Sequence, residues 1–458
     1  MHFYTIDQFF LILHPLQKYT RWIYFDFRRR DSTIPFEFEN MTKLKISLTF
    51  VLFELICNLI KFILEIRADR LSEAKQIAAV TSIALLCMIR GISLYTDRNR
   101  MLAICNDLDK IFPNTVYLQQ RMRVQKLAAF FKVRFRVLRI YVYVGLPSFA
   151  SIPLIRYFLF YDGENGGPLL DEYHQHASWA PFELKQNNRA YPYVYVYETF
   201  VTILGFTCIL TWDHIFTVTV SQLTMHFEFV NTELESLNVR DTTGRMKSKL
   251  FWRRFKEIIV YHQHVYRLAK KLNETFNLTI FLTDIGCAGS ICFHLYLIAN
   301  SDSILTIVTF FFPCFILIAF TFDYCHQGSR LAEASARLQT ILYTQEWYDA
   351  SPTYRRLMLS LLQYAHKPFT LNGFKLFDLD MLHFQSIMTI AYRLFAFVQS
   401  QGNQHLSQQM RKKERESERE IKRAPGLKNG GWCLVSNSRL KIRQPEARIS
   451  ANISKDKN

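Results

Sequence analysis

The sequence lacks the residue spacings that mark enzymes, metal sites and disulfide-rich proteins. Its nine cysteines lie far apart, form no CxxC pair, and do not combine with histidine at the spacing of a zinc site. Most of them stand in apolar blocks, where cysteine usually packs as a small hydrophobic side chain. The sequence also has no P-loop, GxSxG, HExxH or paired-carboxylate motif. These absences predict a protein that is not an enzyme and holds no metal or cofactor.

Charge is missing from long stretches of the chain. The stretch Ser303–Phe322 has 20 residues without a charged side chain, which is the length that crosses the hydrocarbon core of a bilayer. The 40 phenylalanines and 23 tyrosines exclude disorder for most of the chain. Six further apolar blocks are Ile46–Ile60, Ile77–Tyr95, Ile140–Ile155, Phe200–Trp212, Thr275–Ala299 and Leu379–Val398. The sequence therefore predicts an all-α, polytopic membrane protein with seven transmembrane helices.

The connections between these blocks differ greatly in basic charge. The segment 1–44 and the connections 97–139, 222–274 and 324–376 hold 32 lysines and arginines, whereas the alternate connections hold 5. Because basic residues accumulate on the cytoplasmic side, the count predicts a cytoplasmic N-terminus and helical cytoplasmic extensions. A G-protein-coupled receptor, with its N-terminus outside, is the alternative that this count opposes. A transporter is a third reading, and no inverted repeat supports it.

The same pattern predicts how the chain is divided. We expect a cytoplasmic segment at 1–44, six transmembrane helices within 45–323, a cytoplasmic helical region at 324–376 and a seventh helix at 377–399. Residues 400–458 carry 14 basic and 6 acidic side chains and form an atypical tail that we expect to be disordered.

From the sixth block onward, the chain resembles the insect odorant receptors. The residues that carry the resemblance are Tyr324-Cys325, Gly328, Leu331, Glu333-Ala334-Ser335, Tyr343, Trp347, Tyr354-Arg355-Arg356-Leu357, Lys367-Pro368, Gly373, Phe384 and Ala391-Tyr392. Weaker support comes from Trp179-Ala180-Pro181-Phe182, His262 and Leu268. Two features depart from the family: about 59 residues follow the seventh helix, and Arg393 stands where a small or apolar residue is usual.

The resemblance implies an odorant receptor, the ligand-binding subunit of an odorant-gated non-selective cation channel. It implies a hetero-tetramer with a shared odorant co-receptor subunit, located in the plasma membrane of sensory neuron dendrites. Volatile odorants and membrane lipids are the other expected partners. The basic connections flank membrane spans, so attraction to anionic lipid headgroups explains them without nucleic acid.

Three sets of residues are candidates for functional sites. An apolar pocket with few polar groups is expected in the outer halves of spans two, three, four and six. Its candidate lining residues are Thr81, Leu85, Ser148, Ile152, Tyr157, Tyr197 and Phe310. Met388, Tyr392, Phe395 and Gln399 share one face of the seventh helix and are the candidate pore lining. Trp347 and Tyr354 are the aromatic anchors expected to join subunits.

Four charged residues fall inside the predicted spans, namely Glu54, Arg90, Asp284 and Arg393. Such residues are expensive in a membrane and are therefore candidates for function. For Arg90 and Asp284, we expect either snorkelling toward the headgroups or pairing between helices.

Overall fold

A computed structural model of the chain describes residues 3–10, 36, 41–160, 175, 179, 190–242, 245–301 and 303–423. Seven helices in this part are long and apolar enough to cross a membrane. The prediction of an all-α protein with seven membrane-spanning helices is therefore confirmed.

The helices in chain order are α1 (Ile6–Phe10), α2 (Met41–Arg67), α3 (Leu71–Thr96), α4 (Arg98–Ile111), α5 (Val116–Arg121), α6 (Val124–Ile140), α7 (Leu146–Phe160), α8 (Tyr191–Glu235), α9 (Arg245–Ala299), α10 (Ile304–Thr344), α11 (Pro352–Ala365) and α12 (Met381–Arg423). A π-helical turn, Tyr141–Gly145, joins α6 to α7, and these two helices form the third span. The other spans lie in α2, α3, α8, α9, α10 and α12. The strands β1 (Asn372–Gly373) and β2 (Phe377–Asp378) pair antiparallel.

Four of the described helices are much longer than a bilayer is thick, and α12, with 43 residues, is one of them. Helices α8, α9 and α10 have 45, 55 and 41 residues. At a rise of ~1.5 Å per residue, these three are roughly two to three times as long as the ~30 Å hydrocarbon core. The basic connections 222–274 and 324–376 thus consist largely of helix, as their patterning predicts. The ends of these helices pack with α11 in a separate hydrophobic cluster that includes Leu234, Phe251, Leu342 and Tyr354.

Helix α8 is the centre of the molecule, and every residue from Thr207 to Phe227 is buried. Many of these residues are polar. Thr207, Thr211, Thr219 and Thr224 each donate a hydrogen bond to the carbonyl four residues earlier, over 2.7 to 2.9 Å. Because the helix itself satisfies these hydroxyls, they can be buried without a partner from another element.

The third span changes its helical geometry at its middle. The N–H of Leu146 donates to the carbonyl of Tyr141, five residues earlier, and Pro147 follows immediately. Proline has no N–H and its ring clashes with the carbonyl four residues before it, so a regular α-helical turn is disfavoured here. π-Helical turns of this kind are frequent at functional sites. Tyr141 and Leu146, at the two ends of the turn, both line the cavity described below.

Two glycines of the C-terminal signature allow close packing. A Cβ on Gly328 would lie 2.1 Å from the carbonyl oxygen of Leu379, and one on Gly373 would lie 2.2 Å from the Phe377 ring. No larger residue fits either position without displacing its neighbour. Gly328 thus lets α10 approach the residues just before α12, and Gly373 lets the two strands of the hairpin pack closely.

The seventh span is the least buried. Only 11% of its apolar stretch is buried, compared with 56% for α3. Its buried side chains are Ile387 and Ala391.

The chain divides into two units, Met1–Gln399 and Ser400–Asn458. Residues of the second unit as far as Arg423 belong to α12, and the disorder expected for the tail stays a prediction. Alternating acidic and basic side chains allow a solvated helix, and this stretch has that pattern. Residues 424–458 lie outside the described part of the chain.

Candidate functional site

A largely apolar cavity lies among six of the seven spans. Its walls come from α2, α3, the third span, α8, α9 and α10, and they enclose about 1030 Å³ of empty space, open mouth included. Val51, Ile83, Phe149, Phe206 and Ile316 represent its apolar lining. A pocket for a small apolar ligand commonly has this composition.

Several polar side chains interrupt the apolar lining. Glu54 and Asn58 lie one turn apart on α2, and the amide of Asn58 donates to Glu54 over 3.4 Å. His294 on α9 uses its Nδ1 for the Ser290 carbonyl, at 2.8 Å. Arg90 on α3 is 3% exposed, and its guanidinium lies 4.9 Å from the centre of the Trp212 ring. Arg90 therefore neither snorkels nor, within the described part of the chain, forms an ion pair.

The structure places Phe310 in the wall of this cavity, 6.0 Å from the His294 ring. The other six predicted pocket residues do not line it among the residues described. Leu85 is exposed, Ser148 is half-buried, Ile152 is buried, and Thr81 bonds to the Ile77 carbonyl. Tyr157 stacks on Tyr191, and Tyr197 packs against Phe50 and Phe53.

Direct sequence neighbours of three of these residues line the cavity instead. They are Val80, Leu86 and Phe149. The cavity thus involves the helix segments named in the prediction but mostly other faces of those helices. A helix surrounded by apolar partners shows no strong periodicity, so its sequence does not reveal which side faces a cavity.

The four predicted pore residues differ in their contacts and exposure. Met388 packs against the subunit's own cluster around Ile291 and Leu317, and Gln399 exchanges two hydrogen bonds of 2.7 and 3.0 Å with Asn300. Tyr392 is 65% exposed, and its ring lies 6.3 Å from that of Phe395.

Arg393 is also exposed. At about 100° per residue, it lies roughly 160° around α12 from Phe395 and from the buried Ala391. Within Met381–Gly402, most of the surface of α12 is thus exposed.

The two predicted anchors differ in exposure. Tyr354 is completely buried among the rings of Phe251, Trp252 and Phe255, at 5.4 to 6.3 Å, and its hydroxyl donates to Gln345. Burial raises the pKa of Tyr354 to about 12, so the hydroxyl remains a donor. Its side chain supports α11 from within and offers no surface to a partner. Trp347 is half-buried beside the same cluster.

Two buried charge clusters hold the spans together. Arg134 of the third span donates to Asp213 of α8 and, over 2.8 Å, to Asp323 of α10. Asp284 of α9 accepts from the Tyr324 hydroxyl of α10 and lies 2.8 Å from Nε2 of His383 in α12. Asp284 therefore forms the interhelical pair expected for it. The Arg134 cluster was not predicted, although Arg134, Asp213 and Asp323 each lie beside one of the apolar blocks in the sequence.

Within the described ranges, no three histidine, cysteine, aspartate or glutamate side chains are grouped so as to hold a metal ion.

Comparison with known proteins gives a consistent result. A sequence profile described as 7tm odorant receptor matches residues 70–392. Odorant receptor 88a of Drosophila melanogaster is 30% identical over 327 residues, which cover 71% of this chain and 81% of that receptor. Putative odorant receptor 92a of the same fly is 22% identical over 343 residues, covering 72% of this chain and 79% of its own.

Solved structures agree with this fold. The insect olfactory receptor OR5 from Machilis hrabei, in complex with eugenol, superposes with a TM-score of 0.67 at 14% identity, covering 86% of this chain and 97% of that one. A second structure of that receptor superposes with a TM-score of 0.60 at 14% identity, covering 85% of this chain and 99% of that one. The chain belongs to the 7tm odorant receptor family. It is a multi-pass membrane protein of a receptor and ion-channel family, not of an enzyme family.

Proposed function

We propose that this protein is the odorant-binding subunit of an odorant-gated, non-selective cation channel. In this proposal it acts with a shared co-receptor subunit, as a hetero-tetramer in the plasma membrane of sensory neuron dendrites. Its N-terminus is cytoplasmic, as the 32-to-5 distribution of basic residues predicts. Volatile odorants bind in the cavity among α2, α3, the third span, α8, α9 and α10.

The low buried fraction of α12 is the observation that most directly supports the proposal. A helix that completes a monomeric bundle buries a full face, yet only 11% of the apolar stretch of α12 is buried. Packing between membrane helices needs close side-chain contact, because lipid gives no hydrophobic drive for it. An exposed span with Thr389, Tyr392 and Arg393 on its free surface is thus suited to meet other subunits around a water-filled path.

Ligand binding opens the pore by favouring the open state. A ligand shifts this equilibrium only through its different affinity for the two states. The cavity and α12 are linked through α9 and α10, because Asp284 and Tyr324 contact each other and His383 contacts Asp284. A change of cavity shape upon binding therefore reaches the base of the seventh helix through two buried hydrogen bonds.

Current recordings test the proposal. Cells that express the full chain with and without an odorant co-receptor are exposed to a panel of volatile compounds while G-protein signalling is blocked. We expect rapid cation currents only when both subunits are present, and no effect of the blockade. Currents that disappear under the blockade would show a metabotropic receptor instead.

A further inference from the structure

Arg90 brings a buried, permanently charged group to the wall of the odorant cavity. Its guanidinium stays protonated in proteins and offers five N–H donors but no acceptor. It is 3% exposed, and its Nε has no hydrogen-bond partner within the described residues. Its recorded contacts are the faces of two rings, Trp212 at 4.9 Å and Phe320 at 5.9 Å, and it attracts Asp213 electrostatically from beyond ion-pair distance. Ring faces stabilise the charge but accept no strong hydrogen bond.

The acidic side chains nearest to this part of the molecule have other partners. Asp213, next to Trp212 in α8, is held by Arg134. Glu54, on another wall of the same cavity, accepts from Asn58. Neither lies within ion-pair distance of Arg90 in the described part of the chain, so the guanidinium faces the cavity with donors to spare.

Leaving such donors without an acceptor is costly in a medium that excludes water. The rest of the lining around Arg90 is apolar, with Ile83, Cys87, Ile209 and Leu317 among its residues. A hydrocarbon fills such a space but satisfies none of the donors. An oxygen with two lone pairs, placed at one end of an apolar molecule, satisfies the donors and fills the space.

We propose that this cavity selects ligands with a carbonyl oxygen at one end of an apolar chain, and that Arg90 binds that oxygen. This inference rests on the proposed odorant-binding function. The ligand class comprises aldehydes, esters and carboxylic acids, which share the acceptor group. A carboxylate adds a charge and a second oxygen, which the fork of the guanidinium binds at once.

The apolar chain lies toward the other end of the cavity. Phe310 and Phe320 both line it and are ten residues apart on α10, a separation of about 15 Å along the helix. Phe320 contacts Arg90, whereas Phe310 contacts His294. In this proposal, Phe310 contacts the apolar chain of the ligand, and Arg90 binds its carbonyl oxygen.

The test uses the full chain with its co-receptor and compounds of similar length that differ at the head. The probes are octane, octanol, octanal, methyl octanoate and octanoic acid, with shorter and longer members of each series. We expect the unaltered receptor to respond to carbonyl compounds at lower concentrations than to the alcohol or alkane of equal length. In Arg90→Met, the half-maximal concentration for carbonyl compounds should rise about tenfold to a hundredfold, as loss of a charged hydrogen bond implies. Responses to alkanes should not weaken.

Phe310→Leu is the matched control, because it alters the tail end and should shift compounds of one length alike, whatever their head. If Arg90→Met fails to reach the membrane, two other measurements test the proposal. They are the responses of Arg90→Lys and the order in which the unaltered chain prefers the different head groups. Lysine keeps the positive charge and N–H donors but lacks the planar fork of the guanidinium, so it should retain the carbonyl preference but lose the added preference for the carboxylic acid.

The possible failures are distinguishable. Currents that show no carbonyl preference, or a uniform loss of response in Arg90→Met, would overturn this inference and leave the channel function intact. A uniform loss would mean that Arg90 is a structural counter-charge for Asp213. Absence of current with every volatile compound would count against the proposed function itself. In that case, the thermal stability of the purified chain would test the pocket, and greater stabilisation by octanal than by octane would support carbonyl binding.

Discussion

His383 at the start of the seventh span lies 2.8 Å from Asp284 of the fifth, through its Nε2 and the Oδ2 of the carboxylate. The other oxygen of Asp284 accepts from the Tyr324 hydroxyl. One turn along α9 from Asp284 is Cys287, and one turn before Tyr324 on α10 is Phe320, and both line the cavity. A single carboxylate thus joins two walls of the cavity to the helix proposed to form the pore.

We expect Asp284→Asn to raise the current in the absence of ligand. The amide keeps an acceptor oxygen but loses its charge, so it holds both His383 and Tyr324 less strongly. Couplings of this kind are typically about 1–3 kcal/mol, or roughly a fivefold to 150-fold shift in the closed-to-open ratio. Current recordings of unstimulated cells measure this shift. Asp378→Asn, which alters an exposed acid in the adjoining hairpin, is the control, and equal currents in the two variants would contradict the prediction.

Gly328→Ala should destabilise the protein. The new Cβ would meet the carbonyl oxygen of Leu379 at 2.1 Å, and backbone cannot move aside as a flexible side chain can. Overpacking of this kind typically costs about 1–3 kcal/mol. Thermal melting of the detergent-solubilised protein is the measurement. Gly289→Ala is the matched control, because nothing lies within 4 Å of its added Cβ and alanine favours the helix by up to about 1 kcal/mol. A lower melting temperature for Gly289→Ala than for Gly328→Ala would refute this account.

Arg134→Gln should reduce both stability and delivery to the cell surface. Arg134 and Asp213 are nearly inaccessible, with 9% and 1% of their side chains exposed, so the variant strands a buried carboxylate. Removing one partner of a buried ion pair commonly costs about 3–5 kcal/mol. The double variant Arg134→Gln with Asp213→Asn removes both charges and should recover much of the loss. Surface biotinylation compares the three proteins, and a double variant as impaired as the single one would rule out an ionic cause.

The proposed orientation predicts which epitope tags antibodies reach in intact cells. A tag at the N-terminus should be stained only after permeabilisation, because the basic segments of that side are cytoplasmic. A tag inserted within residues 163–167, in the connection after the third span, should be stained without permeabilisation. Surface staining of the N-terminal tag would invert the proposed topology.

The apolar blocks predict the number of spans because a charge-free run such as Ser303–Phe322 has no alternative in a folded chain other than burial or a bilayer. The extent of α8 was not predictable in this way. Asp213 and His214 interrupt its hydropathy, so the predicted block ends at Trp212, yet the helix continues to Glu235. The helix continues because tertiary partners satisfy these residues: Arg134 binds Asp213, and the Phe9 carbonyl lies 2.9 Å from His214.

The cavity was predicted at the level of helices but not of side chains. Leu85 and Leu86 are identical in chemistry, and the structure exposes one at 44% while the other lines the cavity. Which of them faces inward depends on the rotation of α3 against α2 and α9, and no local sequence signal encodes that rotation. Arg90 stands out in the sequence as a charge in a span, but only the three-dimensional structure shows that none of the described residues forms an ion pair with it.

The bare surface of α12 also has a consequence for biosynthesis. A newly made chain that inserts alone presents an almost uncovered seventh span, with Leu382, Tyr392 and Phe397 more than 60% exposed, to the lipid and to the retention machinery of the endoplasmic reticulum. In the proposed hetero-tetramer, neighbouring subunits would bury that helix, and we expect this burial to be the step that releases the protein. The amount of receptor leaving the secretory pathway is thus expected to follow the supply of its partner, whatever the rate at which this chain is translated.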